Sequence, residues 1–294
     1  MARHSRQRAP QRRSRRLYPL LVLLALVVAL LVFFAWAINQ IGNREPSVVP
    51  AAQQCAVRVG NVGDQLTLEQ SGSAAIIAAE ALHRELPPRA VSIALATAMQ
   101  ESDLRNIDYG DRDSVGLFQQ RPSQGWGSVE QIMDPWYSTG KFYDHLVQVD
   151  GWESGDINDV AQKVQRSGVP DGYRKHVERA RAWGSALTGH SPAAVRCIDR
   201  GKASPQAGDT VELLQRALGS TVQVTPAQAM VTITSNDETS LWAATQLAMM
   251  TTRTSGVTAV QVGAMTWTSQ STHLGSWEGT ATPKPTKAVL TLRA

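Results

Sequence analysis

Apolar positions in the first two-thirds of the chain recur at helical spacing, and in the last third they switch to the alternation of strands. "TLEQ" (Thr67–Gln70) has the form of a capping box and predicts a helix reaching about Leu86. Pro87 and Pro88 end that helix and open the next, because proline suits the first helical turn. The second helix, about Arg89–Glu101, carries Val91, Ile93, Ala94, Leu95, Ala96, Ala98 and Met99 nearly all round, as a central buried helix does. "NIDYGDRDS" reads as loop, and further helices are predicted at Ser128–Met133, Ser138–Val149, Asp156–Arg166 and Asp171–Leu187. Strand signals are nearly absent up to residue 190. After "TGHSPAA" the character changes: "TVELLQRAL" and "TSLWAATQLAMMTT" read as helices, and "TVQVTP", "AMVTITS", "VTAVQV", "MTWTS" and "KAVLTLRA" as strands. The pattern predicts a mainly α domain followed by a small α+β domain.

One apolar run fits neither domain. From Leu17 to Ile38 there is no charge, and these residues as a helix are roughly 33 Å long, enough to cross a bilayer. Seven arginines precede it, which places that end in the cytoplasm and everything after Ile38 outside. Two other readings exist: "AWA" (Ala35–Ala37) resembles a signal cleavage site, and "SRRLY" (Ser14–Tyr18) a twin-arginine signal. The length and bulk of the run favour an uncleaved single-pass anchor. The expected organisation is a basic cytoplasmic tail (1–16), a transmembrane helix (17–38), a linker (39–54), a helical domain (55–190), a second linker (191–208) and the α+β domain (209–294).

Charge changes the picture once the tail is set aside. The chain's 29 basic residues include those seven arginines, so 22 remain against 25 acidic residues, and the body is not a binder of nucleic acid or other polyanions. A composition 43% hydrophobic and 18% charged excludes wholesale disorder. The two cysteines, Cys55 and Cys197, read as one disulfide in an oxidising compartment, clasping the ends of the helical domain. The alternative is a pair of buried thiols.

Glu101 is the residue that raises a chemical question. It ends an apolar helix on a face of small residues, Ala94 and Ala98, where the helix dipole and burial both raise a carboxyl's pKa. Such a residue is either a solvated terminus or an acid kept protonated for proton donation. Fifteen residues on, Gly116 opens "GLFQ" within "SVGLFQQRP". This pairing of "ES" (Glu101, Ser102) with "GLFQ" resembles the lysozyme-like soluble lytic transglycosylases and goose-type lysozymes, in the anchored or secreted variants of bacterial cell-envelope proteins. The resemblance covers about residues 56–190. A third family element, usually "AYN", has "VQRSG" (Val164–Gly168) as its nearest match and departs from that pattern; the tyrosine that often follows is matched by Tyr173.

The resemblance implies a lysozyme-like fold and cleavage of the β-1,4 bond between N-acetylmuramic acid and N-acetylglucosamine in peptidoglycan strands. Glu101 would be the single general acid and base, leaving 1,6-anhydro ends, with Ser102, Gln119, Gln165, Ser167 and Tyr173 toward substrate. No cofactor or metal is called for. A hydrolase would need a second carboxylate, for which Asp108, Asp111 and Asp113 are the nearby acids, although turn formation also explains them. Trp126 is a sugar-stacking or a core residue, and His145 and His176 have no second ligand at helical spacing. The α+β domain carries one histidine, His273, after His190, so it is expected to be non-catalytic and to dock an envelope-protein partner. The competing reading is a non-catalytic peptidoglycan-binding scaffold.

Overall fold

The computed structural model describes residues 18–42, 52–201 and 207–293, with side chains of the first stretch described for 21–35. It divides at Val49/Pro50 into two units, and Pro50–Ala294 forms one of them. The expected basic tail and most of the linker ahead of the helical domain lie outside the described residues.

Among its described residues the N-terminal unit contributes the helix α1 (Tyr18–Gly42). The expectation that this run spans a membrane is corrected: among the described residues no helix is long and apolar enough to cross a membrane. The membrane anchor, the cytoplasmic N-terminus and the membrane localisation inferred from it fall with that expectation.

The larger unit opens with a hairpin, β1 (Gln54–Val59) and β2 (Val62–Thr67), running into α2 (Leu68–His83) and α3 (Pro88–Glu101). Then come α4 (Val129–Ile132), α5 (Pro135–Leu146), α6 (Ile157–Gln165) and α7 (Val177–Leu187), followed by β3 (Val195–Ile198). The remainder is α8 (Ala207–Leu218), β4 (Gln223–Ala227), β5 (Met230–Thr234), α9 (Glu238–Met250), α10 (Thr252–Ser255), β6 (Val257–Val262), β7 (Met265–Thr268), β8 (Trp277–Glu278) and β9 (Lys287–Leu292). Two antiparallel sheets result, one of three strands ordered β2-β1-β3 and one of six ordered β4-β5-β9-β6-β7-β8. The expected fold class, a mainly α domain behind a membrane helix, is corrected accordingly. The smaller sheet belongs to the region expected to be helical, and β3 lies inside the expected second linker.

Local chemistry explains most element ends. Thr67 and Gln70 form the reciprocal capping box at the start of α2. Asp134 caps α5 from the Trp136 amide and Pro135 takes its first position, so α5 begins three residues before the predicted Ser138. α2 stops early because Glu85 turns left-handed (φ 55°) and the Leu86 amide folds back onto Ala81 O. α3 is buried almost along its whole length and packs against α2, α5, α6 and α7. Gly184 lets α7 approach it: a Cβ there would meet Ser92 Oγ at 2.6 Å and Pro88 O at 3.1 Å.

α9 joins the two regions of the larger unit. It lies between the six-stranded sheet and the helices α2 and α7, and Gln246 at its centre is fully buried. Its Oε1 accepts from the amides of Ala194 (2.9 Å) and Val195 (3.1 Å), while its Nε2 donates to Ala186 O (2.6 Å) and Ser191 O (3.1 Å). One side chain thus satisfies four backbone groups, three of them in fully buried bonds. Gln246→Leu is expected to cost about 2 kcal/mol or more, because those groups lose their partner. Urea unfolding checks this, and an unchanged midpoint would show that backbone rearrangement takes over the bonds. A second tie is Arg216 of α8, whose guanidinium sits 3.8 Å from the Trp136 ring centroid and 3.5 Å from buried Glu80.

Candidate active site

α3 ends on Glu101 because the next residues leave helical space abruptly. Ser102 and Leu104 both donate their amides to Ala98 O, and Asp103 and Leu104 are both left-handed (φ 54° and 56°). That reversal buries the Leu104 side chain completely and is held by Gln70 Nε2, which donates to Asp103 O at 2.9 Å. Two consecutive non-glycine residues at positive φ carry backbone strain that the surrounding packing must overcome. The turn leaves Glu101 half-buried at the carboxyl end of the helix.

Facing it is the "GLFQ" turn. Val115 and Gln120 exchange both backbone hydrogen bonds at 3.0 Å and close a four-residue loop. Gly116 is left-handed (φ 80°) and a Cβ there would meet Ile132 O at 2.8 Å, so only glycine fits. Leu117 and Phe118 are wholly buried, Phe118 stacking on Phe142 at 4.6 Å. Their carbonyls receive the site's own side chains. Ser102 Oγ donates to Leu117 O at 2.7 Å, and Gln165 Nε2 donates to Phe118 O at 2.7 Å. The ends of α3 and α6 are thereby both latched to this loop.

Tyr173, fully buried, donates its hydroxyl to Glu101 Oε1 at 2.6 Å. Burial pushes the Glu101 carboxyl above the ordinary glutamate range, and the hydrogen bonds from Tyr173 and Gln165 oppose that rise without cancelling it. The Tyr173 phenol is itself raised, by burial and then by the charge of Glu101, while a hydrogen bond from Ser167 pulls it down. Tyr173 therefore stays a donor at any working pH, and the chain Ser167–Tyr173–Glu101 has a fixed direction. Nearby His176 is pushed down to about 4 by burial and by Arg179 and Lys175, with its Nε2 3.2 Å from Gln100 Oε1.

The predicted residues separate into groups. Glu101, Gln165, Ser167 and Tyr173 come together. Ser102, expected toward substrate or as a backbone cap, is buried and its proton goes to Leu117 O. Gln119, left-handed at φ 49°, holds Tyr109 O and Gly116 O through Nε2, both at 3.3 Å. Asp113 accepts from Arg121 Nε, the Ser123 amide and the Ser123 hydroxyl, which hold its carboxyl well below the usual range; it is a loop clamp. Asp111 is exposed beside Arg112, and Asp108 is exposed. Among the described residues no group of three or more His, Cys, Asp or Glu converges to hold a metal ion.

The sequence reading passed over the buried role of Leu117 and Phe118 and the groove that begins at Gln165. That groove, of about 560 Å³, is lined by Gln124, Trp126, His145, Lys163, Gln165 and Arg166 among others. Trp126 is largely buried against His145, ring centroids 4.2 Å apart, and burial pushes the His145 imidazole down.

The chain matches no known family model, and no curated protein is significantly similar to it. The site's chemistry is therefore argued from its geometry.

Proposed function

We propose that this protein is a lytic transglycosylase, cleaving the β-1,4 bond between N-acetylmuramic acid and N-acetylglucosamine with Glu101 as the only acid and base. The observation that carries the reading is a half-buried carboxyl at a helix C-terminus, raised by burial and steered by Tyr173 and Gln165. Tyr173 holds Oε1, and Gln165 gives the same carboxyl a second hydrogen bond. Of the acids that could serve as a second group, Asp113 is committed to Arg121 and Ser123 and Asp111 is exposed beside Arg112, which favours a single-carboxylate mechanism over a hydrolytic pair. The disulfide fits an oxidising, extracytoplasmic compartment, where such a polymer is met.

In this mechanism Glu101 donates its proton to the glycosidic oxygen as the C1–O bond breaks, so the departing sugar leaves as an alcohol. The substrate's acetamido group stabilises the electron-poor C1. The sugar's 6-hydroxyl then attacks C1, its proton passes to the Glu101 carboxylate, and the enzyme returns to its protonated state with no water consumed. Digestion of purified sacculi followed by mass spectrometry tests the proposal. Products ending in 1,6-anhydro-muramyl groups are expected; reducing ends would make the protein a hydrolase, and intact sacculi would leave a binding module.

Tyr173 tunes rather than performs this chemistry. Its hydrogen bond favours the carboxylate, so Tyr173→Phe should raise the Glu101 pKa further and move the alkaline limb of the kcat/KM profile to higher pH. A rate loss at every pH with the limb unmoved would show instead that the phenol only orients Glu101.

A further inference from the structure

The groove beginning at Gln165 has a composition unlike the body around it. The chain beyond its arginine tail has 22 basic against 25 acidic residues, yet no acid lines this groove among the described residues, while Lys163 and Arg166 do. Both are exposed, and neither forms an ion pair with an acid of the described residues. Two nearby exposed arginines are paired, Arg174 with Asp156, Asp159 and Asp171, and Arg181 with Glu178. His145 lines the groove as well; burial lowers its pKa first, Asp144 opposes this, and Lys141 and Arg166 add to the lowering. Gln124, Gln148 and Gln165 add neutral amides, giving a donor-rich channel whose volume suits a polar ligand.

The groove is also coupled to Glu101. Gln165 lines it, hydrogen-bonds Glu101 and holds the Phe118 carbonyl, so a strand bound at Glu101 has this channel beside it. Arg166 follows Gln165 directly, in a left-handed conformation (φ 53°) at the end of α6.

Resting on the glycan-cleaving reading, we propose that this groove is a receptor for a carboxylate carried by the glycan strand, with Arg166 and Lys163 as its specificity-determining residues. The protein then selects acidic, muramyl-type strands over neutral β-1,4-linked N-acetylglucosamine strands. The carboxylate has two sources: a peptide attached to the sugar, or the lactyl group itself when no peptide is attached. A planar guanidinium suits either.

The test uses one glycan in three forms: with peptides intact, with peptides removed so that the lactyl carboxylate is free, and with that carboxylate converted to a neutral amide. Affinity is read in the full-length Glu101→Gln protein, and kcat and KM in the wild type. The charged form that supplies the carboxylate should bind about tenfold more tightly than the amidated strand at low salt, the effect shrinking as salt rises. In the Lys163→Gln/Arg166→Gln double variant, the preference for charged over neutral strands should fall about tenfold, through KM rather than kcat, and Arg166→Lys should restore part of it. A preference lost only for peptide-bearing strands assigns the peptide as the source; one lost for peptide-free strands assigns the lactyl group. Affinity for the amidated strand equal to that for both charged forms, or a preference the double variant leaves intact, overturns the proposal. Because affinity is measured in the Glu101→Gln protein, failure of the wild type to cleave would sink the catalytic reading alone.

Discussion

Glu101→Gln should leave the protein folded and reduce glycan cleavage by at least ~10²-fold, the scale of a lost general acid. The substitution keeps the shape and leaves a carbonyl oxygen to accept from Tyr173, so the latch between α3 and the "GLFQ" turn persists. Stability provides an independent sign. Burial raises the Glu101 carboxyl, so the folded protein holds this proton to higher pH than the unfolded chain does. Stability contributed by Glu101 is then lost as pH rises from the unfolded pKa through the folded one. At neutral pH the variant should be at least as stable as the wild type, and the two should converge at acidic pH. A variant that is less stable at neutral pH would mean that the ionised carboxylate is a structural partner, and a retained rate would exclude Glu101 as the acid.

Replacing both Cys55 and Cys197 by serine should cost about 2–5 kcal/mol, the largest stability effect expected of any change outside the helical core. The two residues face each other directly across the β1–β3 pair, with Cα atoms 4.0 Å apart and a sequence separation of 142. In the chain-entropy view, a loop of that length places the value near the top of the range. Urea midpoints of the variant, and of the wild type under reductant, should fall together. Equal midpoints for variant and oxidised wild type would show that the β1–β3 pairing and Gln246 hold the ends without the bond. Glu101 titration should be unaffected, since its burial is set by α3, α6 and the "GLFQ" turn.

The elements of the chain were legible where their causes are local. The capping box at Thr67, the proline opening α3, the end of that helix at Glu101 and the helices α6 and α8 follow from residues within a turn or two. The alternation of β5, β6 and β9 does too, their buried residues (Val231, Ile233, Val260, Val262, Ala288, Leu290) lying on one face. The pairing of Cys55 with Cys197 was readable because only two cysteines exist.

What went unread depends on distant partners. The hairpin of β1 and β2 mixes Arg58, Asp64 and Gln65 with its apolar positions, and β1's other neighbour, β3, lies in what reads as linker. Strand identity there comes from pairing across the chain, which no local window contains. The apolar run near the N-terminus invited a membrane reading from length and hydropathy, and the described helix does not support it.

The candidate site divides the same way. Sequence alone determined that a carboxyl ends a buried helix, because periodicity and the proline start set where that helix lies. Only the tertiary structure decided what surrounds it. Tyr173 reaches Glu101 across 72 residues and Gln165 reaches Phe118 across 47. Ser102 and Gln119 give their donors to backbone carbonyls. Helical and strand periods are written in neighbours, whereas a pKa is set by the burial and hydrogen bonds that long-range packing brings to one point.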